Sequence, residues 1–356
     1  MSSSTLLGIQ PGDEGIESWV KRSRSFTRIQ KIPGDASTRR YYRVFTDKSS
    51  YIVMRAEPFA DQGMQYPFLL MQKHLALSGV DVPSVLDVDA SQGFILLEDL
   101  GDVTVLRRLQ EVSNPEVERH IFESVIDSLV HLHVNASPER WPSSRDKNDA
   151  FKLRFDHEKL MWEVNYCIEH FYEGYLKRKI TASDREVMVS GFSEICTLLA
   201  NEPTVLTHRD FHTRNVMVCD SPKADQDAEK PPRFVMIDFQ DARMGPAQYD
   251  LASLLKDSYY QLEEKQIQML IDYYVAKVEA ASGARIDRNQ FRMLFDMMGI
   301  QRNFKAIGSF SSFLVKRGDA GYLKFIGNTF ENIRRGLLNY PQYSQLREVL
   351  FHYYYF

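Results

Sequence analysis

Cysteine is scarce. Cys167, Cys196 and Cys219 are the three in 356 residues, far apart and with no CxxC pair. That pattern makes neither a disulfide framework nor a thiolate metal site, and it reads as a reducing compartment. No apolar run approaches the ~20 residues needed to span a bilayer. The opening "MSSSTLLGIQPGDEG" has no basic segment leading into an apolar one, so no signal peptide is expected. Neither sign of charge dominates. The formal net charge of −4 gives no overall pull toward nucleic acid or anionic membranes. No internal repeat is visible. The expectation is a cytoplasmic, monomeric protein whose partner is a small molecule.

What is present suits a globular chain, with 44% hydrophobic and 26% charged residues. The length fits one large domain or two lobes. Residues 27 to 56 carry strand signals. Within them Tyr41–Thr46 and Tyr51–Arg55, separated by "DKSS", read as a hairpin. Helical spacing follows from residue 67, with a stop at Ser78–Gly79. "GFILLEDLGD" reads as a buried strand closing on an acidic turn. After it, residues 115–136, 152–177 and 183–200 are helical by periodicity. The aromatic and Met stripe in 152–177 is read as core. A short β island then appears: "NVMV", the polar insertion "CDSPKADQDAEKPPR", and "FVMID". From about 250 onward the chain is helical again. The plan is α+β: a small β-rich lobe over residues 1–100 and a larger helical lobe over 101–356.

The polar stretch "THRDFHTRNVMV" carries the chemistry. Asp210 and Asn215 precede the first strand of the β island, and Asp238 closes the second. If those strands pair antiparallel, Asn215 and Asp238 converge, with Asp210 one loop away. An amide and a carboxylate make an oxygen-only site suited to Mg²⁺, which keeps water and phosphate as its other ligands. A nearby carboxylate can take the proton of a substrate hydroxyl. The spacing D-x-x-x-x-N is that of a kinase catalytic loop. His208 and His212 flank Asp210, but a zinc pair at that spacing needs a helix, which this segment does not suggest. His208 is read as a brace for the loop and His212 as standing behind the reacting groups. "HLHVN" at 131–135 is read as packing or capping. Asp241 is read as bracing, and Arg214 as meeting either a phosphate or a loop carboxylate.

"HRDFHTRNVMV…VMIDFQDARMGPAQYDLASLL" resembles the aminoglycoside phosphotransferase/choline kinase-like family. With "GDASTRRYYRV", "GFILLEDLGD" and "GIQRNFKAIGSF" it is most similar to the bacterial anomeric sugar kinases of cell-wall recycling. The likeness runs from about residue 30 to about residue 325. It implies a protein-kinase-like two-lobed fold, and ATP and Mg²⁺ as cofactors. It also implies phosphorylation of the 1-hydroxyl of N-acetylmuramate or N-acetylglucosamine. An aminoglycoside- or choline-type kinase is the alternative in class, and an inactive kinase-fold scaffold the alternative outside it. The resemblance makes Asp210 the catalytic base and Asn215 and Asp238 the metal ligands. Gly34, Ser37 and Thr38 fall in the phosphate-covering loop, and Glu98, Asp99 and Leu100 in the hinge that meets adenine through its backbone. The strand "YIVMRA" lacks the usual phosphate-binding Lys, and the helix after it has no Glu to pair with one. Arg39, Arg40 and Arg55 remain as candidate cations. In "GIQRNFKAIGSF", Arg302 and Lys305 lie three apart on one helix face. They form either a solvated basic face or a reader of an anionic group such as a lactyl carboxylate.

Overall fold

The computed structural model describes residues 5–7, 15–33, 39–138, 140, 148–220 and 231–356. Gly34, Ser37 and Thr38, and most of the polar insertion after Cys219, lie outside the described residues. The chain divides into two compact units. One comprises Met1–Leu77, Asp81–Val103 and Met217–Gln240. The other comprises Ser78–Val80, Thr104–Val216 and Asp241–Phe356.

The first unit is built on a six-stranded sheet. Its strands are β1 (Thr5–Leu7), β2 (Arg28–Ile32), β3 (Arg40–Phe45), β4 (Ser50–Arg55), β5 (Val85–Asp89) and β6 (Phe94–Glu98). The order is β1-β2-β3-β4-β6-β5. All neighbours are antiparallel except β1 and β2. Alternation sets the core face: Tyr42 and Val44 on β3, and Phe94 and Leu96 on β6, point the same way. They pack with Ile29 and Val53 against Ile16, Trp19 and Val20 of α1 (Gly15–Ser23). The expected hairpin is β3–β4, in a register that sets Arg40 opposite Arg55. The expected buried strand is β6, buried from Phe94 to Leu97. The sequence reading missed β5. It is an edge strand with Leu86 41% exposed and two acidic residues among five, so no apolar run announces it. Helix α2 (Pro67–Leu77) ends before Gly79, whose φ of 77° suits glycine in a left-handed stop. Strand Val216–Cys219 pairs with Arg233–Met236.

The second unit is mostly helical. It holds α3 (Val105–Glu111), α4 (Pro115–Asn135), α5 (His157–Cys167), α6 (Ala182–Ala200), α7 (Gln248–Leu255), α8 (Glu264–Ser282), α9 (Arg288–Arg317), α10 (Ile326–Leu338) and α11 (Ser344–Tyr355). Their starts follow local chemistry. Asn114, Asp156, Thr181 and Asp287 each accept a backbone N–H of the following turn. Helix α5 runs on through Ile168–Tyr175 in wider π-type turns. The stripe Leu160, Met161, Val164, Cys167, Ile168, Phe171 and Tyr172 is buried, as a core stripe should be. Against it lies α9, the 30-residue spine of the unit. Gly308 permits the approach: a Cβ there would sit 2.6 Å from the Cα of Cys167. A two-stranded antiparallel ribbon, Thr204–Thr207 with Arg243–Pro246, leads into and out of the polar loops. At four residues each, these strands are too short to show a period. Among the described residues no helix is long and apolar enough to cross a membrane.

Candidate active site

The loop after Thr207 is shaped by one carboxylate below it. Asp250, on α7 and fully buried, accepts the backbone N–H of His208 at 2.6 Å and of Arg209 at 2.9 Å. Nε2 of the buried His133 lies 3.2 Å from the same carboxylate, and its Nδ1 lies 2.8 Å from the Tyr274 hydroxyl. Arg209 has φ of 81°, a sparsely populated conformation for a side chain of its size that the surroundings must impose. A second buried carboxylate, Asp257, accepts both the N–H (3.0 Å) and the hydroxyl (2.6 Å) of Thr213. The Asn215 amide nitrogen donates to the Asp210 carbonyl at 2.9 Å, which closes the loop on itself.

Replacing Asp250 by Ala strands two buried N–H donors and a buried His. Each stranded group costs about 1–3 kcal/mol. We expect a drop of at least ~3 kcal/mol in unfolding free energy, together with lost activity. A urea titration checks the first part, and wild-type stability for Asp250→Ala would show that the loop is held elsewhere.

Asp210 meets Lys305, whose Nζ lies 3.1 Å from Oδ1. Burial acts to raise the Asp210 pKa, but Lys305, then Arg209, His212 and Arg302, outweigh it. The carboxyl is held far below the usual range, so it is an anion at any working pH. For His212 burial, with Arg302 next, pushes the pKa down to about 3, so this imidazole is neutral. Arg302 is 4% exposed and donates through Nε to the Ser253 hydroxyl at 3.1 Å. It is therefore not on a solvated face. Arg214 lies with its guanidinium 4.9 Å from the Tyr259 ring centre. Arg209 reaches Asp241 at 3.5 Å, which fits the bracing read for Asp241.

In the first unit, Asp238 is exposed, has φ of 65°, and accepts from the Gln240 amide at 2.8 Å. Phe239 beside it is buried and stacked on Phe68 at 5.1 Å, which anchors the turn. Tyr41 of β3 lies within electrostatic reach of Asp238 and bonds Arg39. Arg55 donates to the Ala56 carbonyl and lies 5.4 Å from the Phe94 ring centre. Glu98 takes the Ser84 N–H and Arg233. Arg43 pairs with Asp99 at 2.8 Å. Both carboxylates of this segment are thus engaged within the unit. Among the described residues no three His, Cys, Asp or Glu side chains group as a metal cage. A hard cation that brings phosphate oxygens of its own needs only a small set of protein oxygens, so the absence of such a group among the described residues says nothing against one.

Two of the positions that shape this loop, Asp250 and Asp257, were not found by motif reasoning, and neither was the pairing of Lys305 with Asp210. One signal was available. Asp250 interrupts the otherwise apolar run "YDLASLL", and an unexplained carboxylate on a buried helix implies buried donors to satisfy.

This fold and loop define a phosphotransferase. The profile of the phosphotransferase enzyme family matches residues 28–284, and the chain belongs to that family. Among its relatives is a protein of Neisseria meningitidis serogroup B named N-acetylmuramate/N-acetylglucosamine kinase. It is 30% identical over 319 residues, covering 89% of this chain and 87% of the relative. A Pseudomonas putida protein of the same name is 29% identical over 321 residues, covering 89% of this chain and 85% of the relative. The choline kinase of Streptococcus pneumoniae has the same fold, with a TM-score of 0.59 at 14% identity over 91% of this chain and 98% of that one. The two-lobed, kinase-like α+β fold expected from the sequence is the fold found.

Proposed function

We propose that this protein is an ATP-dependent sugar kinase that phosphorylates the anomeric hydroxyl of N-acetylmuramate, N-acetylglucosamine or both. The observation that carries it is Asp210, a carboxylate held as an anion on a braced loop, in a chain whose relatives bear that kinase's name. Phosphoryl transfer needs little covalent help from the protein. It needs alignment, and charge placed where the transferring group becomes negative. Asp210 orients the acceptor hydroxyl and takes its proton. Lys305 fixes one carboxylate oxygen and leaves the other for the sugar. Arg302, beneath the loop, supports the charge of Asp210 from a buried position. The first unit receives the nucleotide, with backbone of the segment 98–100 toward the base and Arg39, Arg40 or Arg55 toward the phosphates. Asn215 and Asp238 would hold Mg²⁺, which supplies neutralisation of phosphate charge when bound.

The test is direct. Purified protein with ATP and Mg²⁺ is offered a panel of amino sugars, aminoglycosides and choline, and ADP release is measured. The products are then analysed by NMR for the position of the phosphate. Release with N-acetylated hexosamines and a 1-phosphate product is the expected result. Preference for kanamycin-like substrates would overturn it, and nucleotide binding without turnover on any acceptor would favour the scaffold reading.

A further inference from the structure

The rings beside the catalytic loop form an arrangement that the transfer chemistry does not use. His212, whose backbone N–H donates to the Asp210 carbonyl, stands with its ring edge-on to Tyr259 at 5.2 Å. Tyr259 meets Phe325 edge-on at 4.7 Å. Tyr322 stacks on Phe310 at 5.7 Å and 9°. The Arg214 guanidinium lies against two of these rings, 4.9 Å from Tyr259 and 6.0 Å from Tyr322. Tyr259, Tyr322 and Phe325 are only partly buried. Core aromatics of the same unit, such as Tyr172, Tyr249, Tyr274 and Phe192, are almost fully covered. Packing alone would have closed these rings over as well.

We propose that this aromatic wall with Arg214 is the acceptor subsite, taking the apolar face of an N-acetylated hexose on its rings and an anionic substituent on the guanidinium. The inference rests on the sugar-kinase reading and deepens it. A pyranose presents polarised C–H groups on one face, and its acetamido group carries a methyl. Both suit the electron-rich face of an aromatic ring. A guanidinium lying on rings keeps its outer N–H groups directed and loses little freedom on pairing, so it reads a carboxylate well. The position is also right: the wall begins one side chain from the base, and Arg214 is four residues after Asp210. Arg214 on the rings and Lys305 at Asp210 make an unfavourable setting for a polycationic acceptor.

The test is steady-state kinetics of the full chain with ATP on both sugars, for Arg214→Leu, Arg214→Lys, Tyr322→Leu and Tyr322→Phe. Loss of a charged hydrogen bond is worth roughly tenfold to a hundredfold in binding. Arg214→Leu should therefore lower the ratio of kcat/KM for N-acetylmuramate over N-acetylglucosamine by at least ~10-fold, with Arg214→Lys in between. Tyr322→Leu should raise KM for both sugars with the KM for ATP unmoved, and Tyr322→Phe should restore it. An unchanged ratio in Arg214→Leu, or a Tyr322→Leu variant with wild-type KM, overturns the subsite while leaving the kinase reading intact. Should Arg214→Leu fail to fold, the Tyr322 pair decides alone. A wild-type protein that turns over neither sugar overturns the kinase reading and the subsite with it.

Discussion

Asp210→Ala should lower kcat by ~10²–10⁴, the usual contribution of a positioned general base, and leave the fold standing. The loss corresponds to about 3–5 kcal/mol of transition-state stabilisation. The fold survives because the loop is not held by this side chain. Its backbone is held by Asp250 and Asp257 below, and by the Asn215 amide, which binds the Asp210 carbonyl rather than its carboxylate. What the variant removes is the charge that Lys305 faces at 3.1 Å. That pair is partly open to water, so an unpaired Lys305 can be solvated at small cost. Asp210→Asn keeps the shape and loses the proton acceptor, so it should fall nearly as far. The measurements are kcat with the best acceptor and a thermal midpoint for each variant. A near-normal kcat in either would remove Asp210 from the mechanism. A collapsed midpoint in Asp210→Ala alone would leave Asp210→Asn to decide.

How much of this was legible in the sequence depends on distance along the chain. The polar loop was legible because its parts are local: four residues separate Asp210 from Asn215, and the spacing follows from one tight turn. The hairpin β3–β4 and the buried strand β6 were legible because their apolar residues alternate or run together. Arg302 and Lys305 were read on one helix face, and they do lie on one helix. That they differ in role was not visible, since Arg302 ends beneath the loop with Ser253 while Lys305 reaches Asp210 across 95 residues of sequence. Spacing within a helix gives its faces, but which face meets which loop is decided by tertiary packing. The same holds for Asp250, whose function is to satisfy backbone donors 41 and 42 residues earlier. The aromatic wall draws on three stretches of the chain, and in sequence each ring looks like ordinary core.

Asp238→Asn should abolish most activity and be partly rescued by high Mg²⁺ or by Mn²⁺. The substitution is chosen for what it preserves. At a φ of 65° most residues are strained, but Asn and Asp tolerate the left-handed region better than others. The hydrogen bond from Gln240 goes to Oδ1 of Asp238, and an amide oxygen can accept it equally well. The Phe239 ring that anchors the turn on Phe68 is untouched. The variant should therefore keep its stability and differ in one respect, the negative charge at the end of the side chain. That charge matters because the transferring phosphoryl group and its leaving group carry several negative charges, which a divalent cation must offset. On the proposed role of Asp238 as a metal ligand, exchanging its carboxylate for an amide lowers affinity for a hard cation, so a larger excess is needed to fill the site. Mn²⁺ binds a given set of ligands in the same geometry and accepts neutral donors more readily than Mg²⁺. The measurement is initial rate against metal concentration for both proteins at saturating ATP. The expected outcome is a large rightward shift of the Mg²⁺ curve and a smaller one for Mn²⁺. Coincident curves would show that Asp238 does not hold the metal. The carboxylate would then be left as a partner for Gln240 alone, and the phosphates would have to find their counter-charge among Arg39, Arg40 and Arg55.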